Sequence, residues 1–141
     1  MASKARQYKP SDVKKLFALS GNQCAEPGCQ RKLVSDDGHN VLAEIAHICA
    51  ASEEGPRFEA SMDDDQRRSF DNLILLCDEH HKMIDNPETV DQYPASMIKE
   101  WKMKHEEGNK DIPVNEELSR SFIQNAEKIY NIDHIDTANF S

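Results

Sequence analysis

Apolar residues fall in short clusters separated by long polar stretches. Between Ser11 and Ser20, the residues Val13, Leu16 and Phe17 share one face at helical spacing. This segment is predicted to be a helix, with Ser11 as its N-cap and Gly21 as its stop. A polar stretch follows, with the turn residues Pro27 and Gly28 between Cys24 and Cys29. Leu33 and Val34 predict a short strand, 35–40 a loop, and Val41 to Ile48 a longer apolar strand. Residues 49–71 form a polar connection with Gly55, Pro56 and the run Asp63, Asp64, Asp65. Connections of that length are usually functional or disordered. Asn72 to Leu76 (NLILL) predicts a buried strand, and Asp78 to Asp85 a short helix stopped before Pro87. Pro94 opens a longer helix, expected to pack through Met97, Ile98 and Trp101 and to end at Gly108.

After Asp111 the character changes, which divides the chain into residues 1–110 and a C-terminal amphipathic helix and tail, residues 111–141. Asn115 to Tyr130 places Leu118, Phe122, Ile123, Ala126 and Ile129 on one helix face. That face needs a cover. The body of the protein can supply it, and so can a second copy or a sensor or partner protein.

At 141 residues, 38% hydrophobic and 30% charged, the chain is expected to form one domain with a small core. A metal staple would help such a core to fold. No apolar run approaches the roughly 20 residues of a membrane span. The opening MASKARQYKPSD lacks an apolar signal region, so the expected location is the cytoplasm. The net charge of −9 argues against a passive nucleic-acid coat. Its distribution is uneven: residues 1–32 carry seven bases and two acids, and the remainder is net −14. Two readings of the basic segment stay open, a phosphate-docking arm and a solvated tail.

Four cysteines without an export signal point to metal binding rather than disulfides. Cys24-x4-Cys29 and Cys77-x2-His80 are two close pairs, and each can fill two corners of a tetrahedral structural zinc site. The alternative is unrelated buried cysteines acting as small hydrophobes. Cys49, among Ile48, Ala50 and Ala51, reads as a core residue. His81 directly follows His80 and so points away from the zinc. With Asp85 four residues on, it shares a helix face suited to a second divalent ion.

The segments AEIAHI and DNLILLCDEHHKMID resemble HNH endonucleases of the ββα-metal type, spelled here by His47, Asn72 and His81. The resemblance spans roughly residues 11–107 and is similar in particular to HNH domains of bacterial anti-phage defence, through AHICAASEEGPRF. It implies an α+β fold: a small ββα-metal core with a treble-clef-like zinc knuckle and flanking helices. It also implies that His47 is the general base, that Asn72 pins the loop between the strands, and that His81 and Asp85 ligate a catalytic ion. Many relatives carry a metal ligand immediately before the general base. Here that residue is Ala46, so Glu44 is a candidate substitute ligand. Oxygen donors and waters suit Mg²⁺ or Mn²⁺, while His81 leaves Ni²⁺ or Zn²⁺ open.

The expected activity is metal-dependent hydrolysis of DNA phosphodiesters with little sequence specificity, as a defence effector; RNA stays open as a substrate. Arg57, Arg67, Arg68 and Lys82 are candidate nucleic-acid contacts, against the alternative of a solvated loop. Ala46 and the acidic charge also allow a catalytically weak, zinc-stabilised nucleic-acid or protein-binding module.

Overall fold

The computed structural model describes residues 4–129. Residues 130–141, which include Tyr130 and the expected tail, lie outside the described part, as does the side chain of Ile129.

Helix α1 runs Pro10–Ala18, with Lys9 rather than Ser11 at its cap position. Proline fixes φ and lacks an N–H that the first turn could not satisfy, so Pro10 displaces the helix start expected at Ser11. Val13, Leu16 and Phe17 are buried as their spacing requires. The chain then reverses through Gly21 at φ +61°. A Cβ there would meet Asn109 Oδ1 at 2.5 Å, so both backbone and space call for glycine.

Strand β1 is Ala43–His47, and strand β2 is Leu73–Cys77. They pair antiparallel in the register Ala43↔Cys77 to His47↔Leu73. Val34 and Val41 form only an isolated bridge ahead of β1, so the short strand expected at Leu33 and Val34 is reduced to that bridge, and the strand expected from Val41 to Ile48 is shortened to Ala43–His47. All five residues of β2 are buried, which is why its sequence is continuously apolar rather than alternating.

Within the polar connection, Asp63 and Gln66 form a reciprocal capping box that starts the short helix α2, Asp64–Arg67. Helix α3, Asp78–Asp85, begins directly at the end of β2, with Cys77 as its cap residue. Asp78 and Glu79 suit the positive end of its dipole.

Helix α4, Ala95–Asn109, continues through Gly108, which was expected to end it. Ile98 is fully buried and Trp101 packs edge-on to Tyr93, with ring centroids 6.1 Å apart. Met97 is largely exposed instead of packing. The buried neighbour is Lys102, whose ammonium sits 3.6 Å from the Phe70 ring centroid and donates to Glu106 at 2.5 Å.

Helix α5, Glu116–Ile129, is capped by Asn115, whose Oδ1 accepts from the N–H groups of Glu117 and Leu118. Phe122, Ile123 and Ala126 are buried in the same core as β2. Phe122 stacks on Phe17 of α1 at 5.1 Å. The described apolar face of α5 is therefore covered by the chain itself. Among the described residues, no helix is long and apolar enough to cross a membrane.

Candidate active site

Two centres meet at the junction of β2 and α3. The first is built from Cys24 and Cys29 in the knuckle, Cys77 at the end of β2, and His80 in the first turn of α3. Their ligand atoms all lie within 4.8 Å of one another. Gly28, at φ +85°, makes the tight turn between the knuckle cysteines. The backbone N–H of Ala25 donates to Leu75 O at 3.1 Å and fixes the knuckle to the sheet. His80 Nδ1 lies 3.2 Å from Cys77 Sγ and 3.5 Å from Cys24 Sγ. A tetrahedral zinc would separate sulfur and nitrogen ligands by about 3.6 Å, so the donor set fits such an ion. Glu26 stands 3.6 Å from His80 Nε2, where it can orient the ring from its far side. Burial pushes the Cys24 thiol up to about 12, a cost that a bound cation reverses by favouring the thiolate. The cluster can thus hold a structural metal ion. Cys49 is buried outside it, as its apolar neighbours suggest.

The second centre gathers His47, Asn72, His81 and Asp85. His47 ends β1, and its Nε2 lies 2.8 Å from the Ala5 carbonyl. A carbonyl only accepts, so Nε2 carries the ring proton and Nδ1 keeps a free lone pair. Burial holds the His47 pKa below the ordinary imidazole value, outweighing the Ala5 bond. Tyr8 packs against the same ring at 5.5 Å. The segment carrying Ala5 and Tyr8 is therefore built into the site, although its basic residues suggested an arm or a solvated tail.

Asn72 precedes β2 and is buried. Its Oδ1 accepts from Cys49 N at 2.9 Å, and its Nδ2 donates to Cys49 O at 2.9 Å and Arg67 O at 2.8 Å. This clamps the backbone just after His47.

On α3, His81 stands between two carboxylates. Glu44 Oε2 is 2.7 Å from Nδ1, and Asp85 Oδ2 is 3.2 Å from Nε2. The bond to Asp85 raises the His81 pKa against the pull of burial, and Glu44 adds to the rise. Burial opposes charge on Asp85, yet His81 and Arg57 together hold its carboxyl below the usual range. The two ring nitrogens face opposite directions, so Glu44 and Asp85 do not converge on one point. Glu44 thus engages His81 at Nδ1, while Nε2 and Asp85 Oδ2 form a two-donor edge that could suit a hard divalent ion. Ala46 is buried and leaves no donor beside them. Asp85 also lines an open cavity of about 490 Å³ on its Arg57 side, shared with Pro56, Val90 and Pro94.

The candidate phosphate contacts are placed differently from expectation. Arg57 points inward and is bonded to backbone carbonyls and Asp85. Arg67 bonds Asp64 and Glu59 O and lies over the Phe58 ring, and Arg68 bonds Gln7 O and Asp65. Acidic residues and carbonyls around the connection draw these cations in. Lys82 alone of the four is well exposed, paired with Asp78 at 3.1 Å. Sequence reasoning missed Ala5, whose backbone role leaves no side-chain signal.

Two antiparallel strands leading straight into a helix that bears both a knuckle ligand and a carboxylate-flanked histidine define a small ββα metal-binding module. A family model described as HNH endonuclease matches residues 18–89, just over half of the 141-residue chain, and the chain belongs to that family. Membership carries a nuclease-type function in general and a nucleic-acid substrate. No curated protein matches the sequence.

Proposed function

We propose that the protein is a metal-dependent endonuclease that hydrolyses DNA phosphodiester bonds with little sequence specificity. The observation that carries this reading is the His47 hydrogen bond to Ala5, which leaves Nδ1 as a neutral base at the end of β1. Nδ1 takes the proton of the attacking water. Asn72 holds the backbone beside His47. His81 Nε2 and Asp85 Oδ2 hold a divalent cation, Mg²⁺ or Mn²⁺ by their donor chemistry. When bound, that ion supplies charge stabilisation for the scissile phosphate and the departing oxygen. Glu44 keeps Nδ1 of His81 engaged, which would leave Nε2 as the nitrogen donor to such an ion. The cysteine-rich centre holds structural zinc, favoured by three thiolates and one imidazole. The reading extends to a role as a cytoplasmic antiviral effector.

Plasmid cleavage in Mg²⁺, Mn²⁺ or Ni²⁺, with EDTA as the control, tests the reading. It predicts metal-dependent nicking spread over many sites in DNA. A zinc-loaded protein inert in every metal favours the second reading, a binding module, which the missing donor at Ala46 supports.

A further inference from the structure

Arg57 has a left-handed backbone, φ +58°, which residues other than glycine seldom adopt. Its side chain is only 6% exposed. Nε donates to Ile48 O at 2.7 Å, and Nη1 to Ile84 O at 2.7 Å and Tyr93 O at 3.5 Å. Nη2 donates to Asp85 Oδ1 at 2.7 Å. Ile48 follows His47 and Ile84 precedes Asp85. One planar guanidinium therefore ties the end of β1 to the end of α3. A phosphate-binding arginine needs a free edge, and this side chain spends its fork within the protein.

The bond to Asp85 has a chemical consequence. Asp85 Oδ1 belongs to Arg57, and only Oδ2 faces His81 Nε2. We propose that Arg57 is a positioning residue that restricts Asp85 to monodentate coordination and so selects Mg²⁺ or Mn²⁺ over Ca²⁺. This rests on the metal-site reading above. Calcium takes six to eight oxygen ligands and readily accepts a bidentate carboxylate, whereas the smaller ion needs near-octahedral geometry with single oxygens and waters. With Arg57 in place the carboxylate cannot turn both oxygens to the ion. Its removal frees Oδ1 for the larger cation.

The test is calorimetric titration of Mn²⁺ and Ca²⁺ into the zinc-loaded full chain, with wild type, Arg57→Met, Arg57→Lys and His81→Ala compared. Zinc content and melting temperature establish that each variant is folded. Wild type is expected to bind Mn²⁺ more tightly than Ca²⁺, and Arg57→Met to lower the Mn²⁺/Ca²⁺ affinity ratio about tenfold. Arg57→Lys, which keeps one donor without the fork, lowers the ratio at least threefold. It carries the test if the Met variant does not fold. An unchanged ratio in either folded variant overturns the proposal, since a staple that serves stability alone shifts melting without altering selectivity. A rise confined to the KM for DNA also overturns it and returns Arg57 to the phosphate. The underlying reading fails separately: wild type that binds no Mn²⁺ beyond its zinc, or His81→Ala that binds it equally well, removes the metal site itself and the proposal with it.

Discussion

At His47 one hydrogen bond decides the chemistry. The Ala5 carbonyl fixes the proton on Nε2, and burial keeps the ring neutral. The folded-state pKa is depressed, so the base form persists as pH falls through the ordinary value of 6.5. Protonating the ring therefore favours the unfolded chain, and His47 withdraws stability as pH drops below that value toward its folded pKa. At saturating metal, the acid limb of the kcat profile is expected to have its midpoint below 6.5. A pH–rate series checks this, and a midpoint near 7 or above would contradict it. The motif points to His47, Asn72 and His81 because each lies in a short segment, AEIAHI or DNLILLCDEHHKMID, whose local pattern is distinctive. Ala5 and Arg57 act across 42 and 28 residues, on His47 and Asp85, and no local pattern announces such partners.

Among the elements, the knuckle and β2–α3 were legible because each cysteine or histidine pair is close in sequence and β2 is uninterrupted by polar residues. Helix α2 was not, because an acidic run reads as solvated loop until the capping pair Asp63 and Gln66 is noticed. The depth of Lys102 was hidden as well, since its charge masks the stem that packs on Phe70. A zinc ion held by the proposed Cys3His centre would tie the knuckle to α3, so its removal is expected to unfold both together. A strong chelator should release zinc and lower the melting temperature by 10 °C or more (~2 kcal/mol or more for a domain of this size). Unchanged melting after full zinc loss would refute that link. Helix α5 packs Phe122 against Phe17 inside the main core. Phe122→Ala is expected to cost about 3–5 kcal/mol in a denaturant melt. A loss under about 1 kcal/mol would indicate that residues 111–141 stand apart from residues 1–110.

At the scale of the whole molecule, net acidity and three inward-turned arginines of the connection weaken the attraction to DNA. The net charge is −9, and Arg57, Arg67 and Arg68 are engaged internally. For a nuclease that neutralises only about two phosphates, DNA affinity should fall about tenfold between 50 and 200 mM salt and lie in the micromolar range or weaker. Fluorescence anisotropy with the inactive His47→Ala protein measures both. A loss of a thousandfold would reveal an extended basic footprint and contradict this expectation. Under the proposed function, weak capture would keep the nuclease quiet until added binding area, from further copies or a partner, raised its local concentration on DNA.

The central claim is that His47 activates water beside a metal held by His81 and Asp85. Single-turnover cleavage of plasmid DNA by zinc-loaded wild type and His47→Ala, at saturating Mn²⁺, tests it most directly. The account predicts a loss of at least about a hundredfold in rate with zinc content and Mn²⁺ affinity unchanged. Equal rates in the two proteins would contradict it.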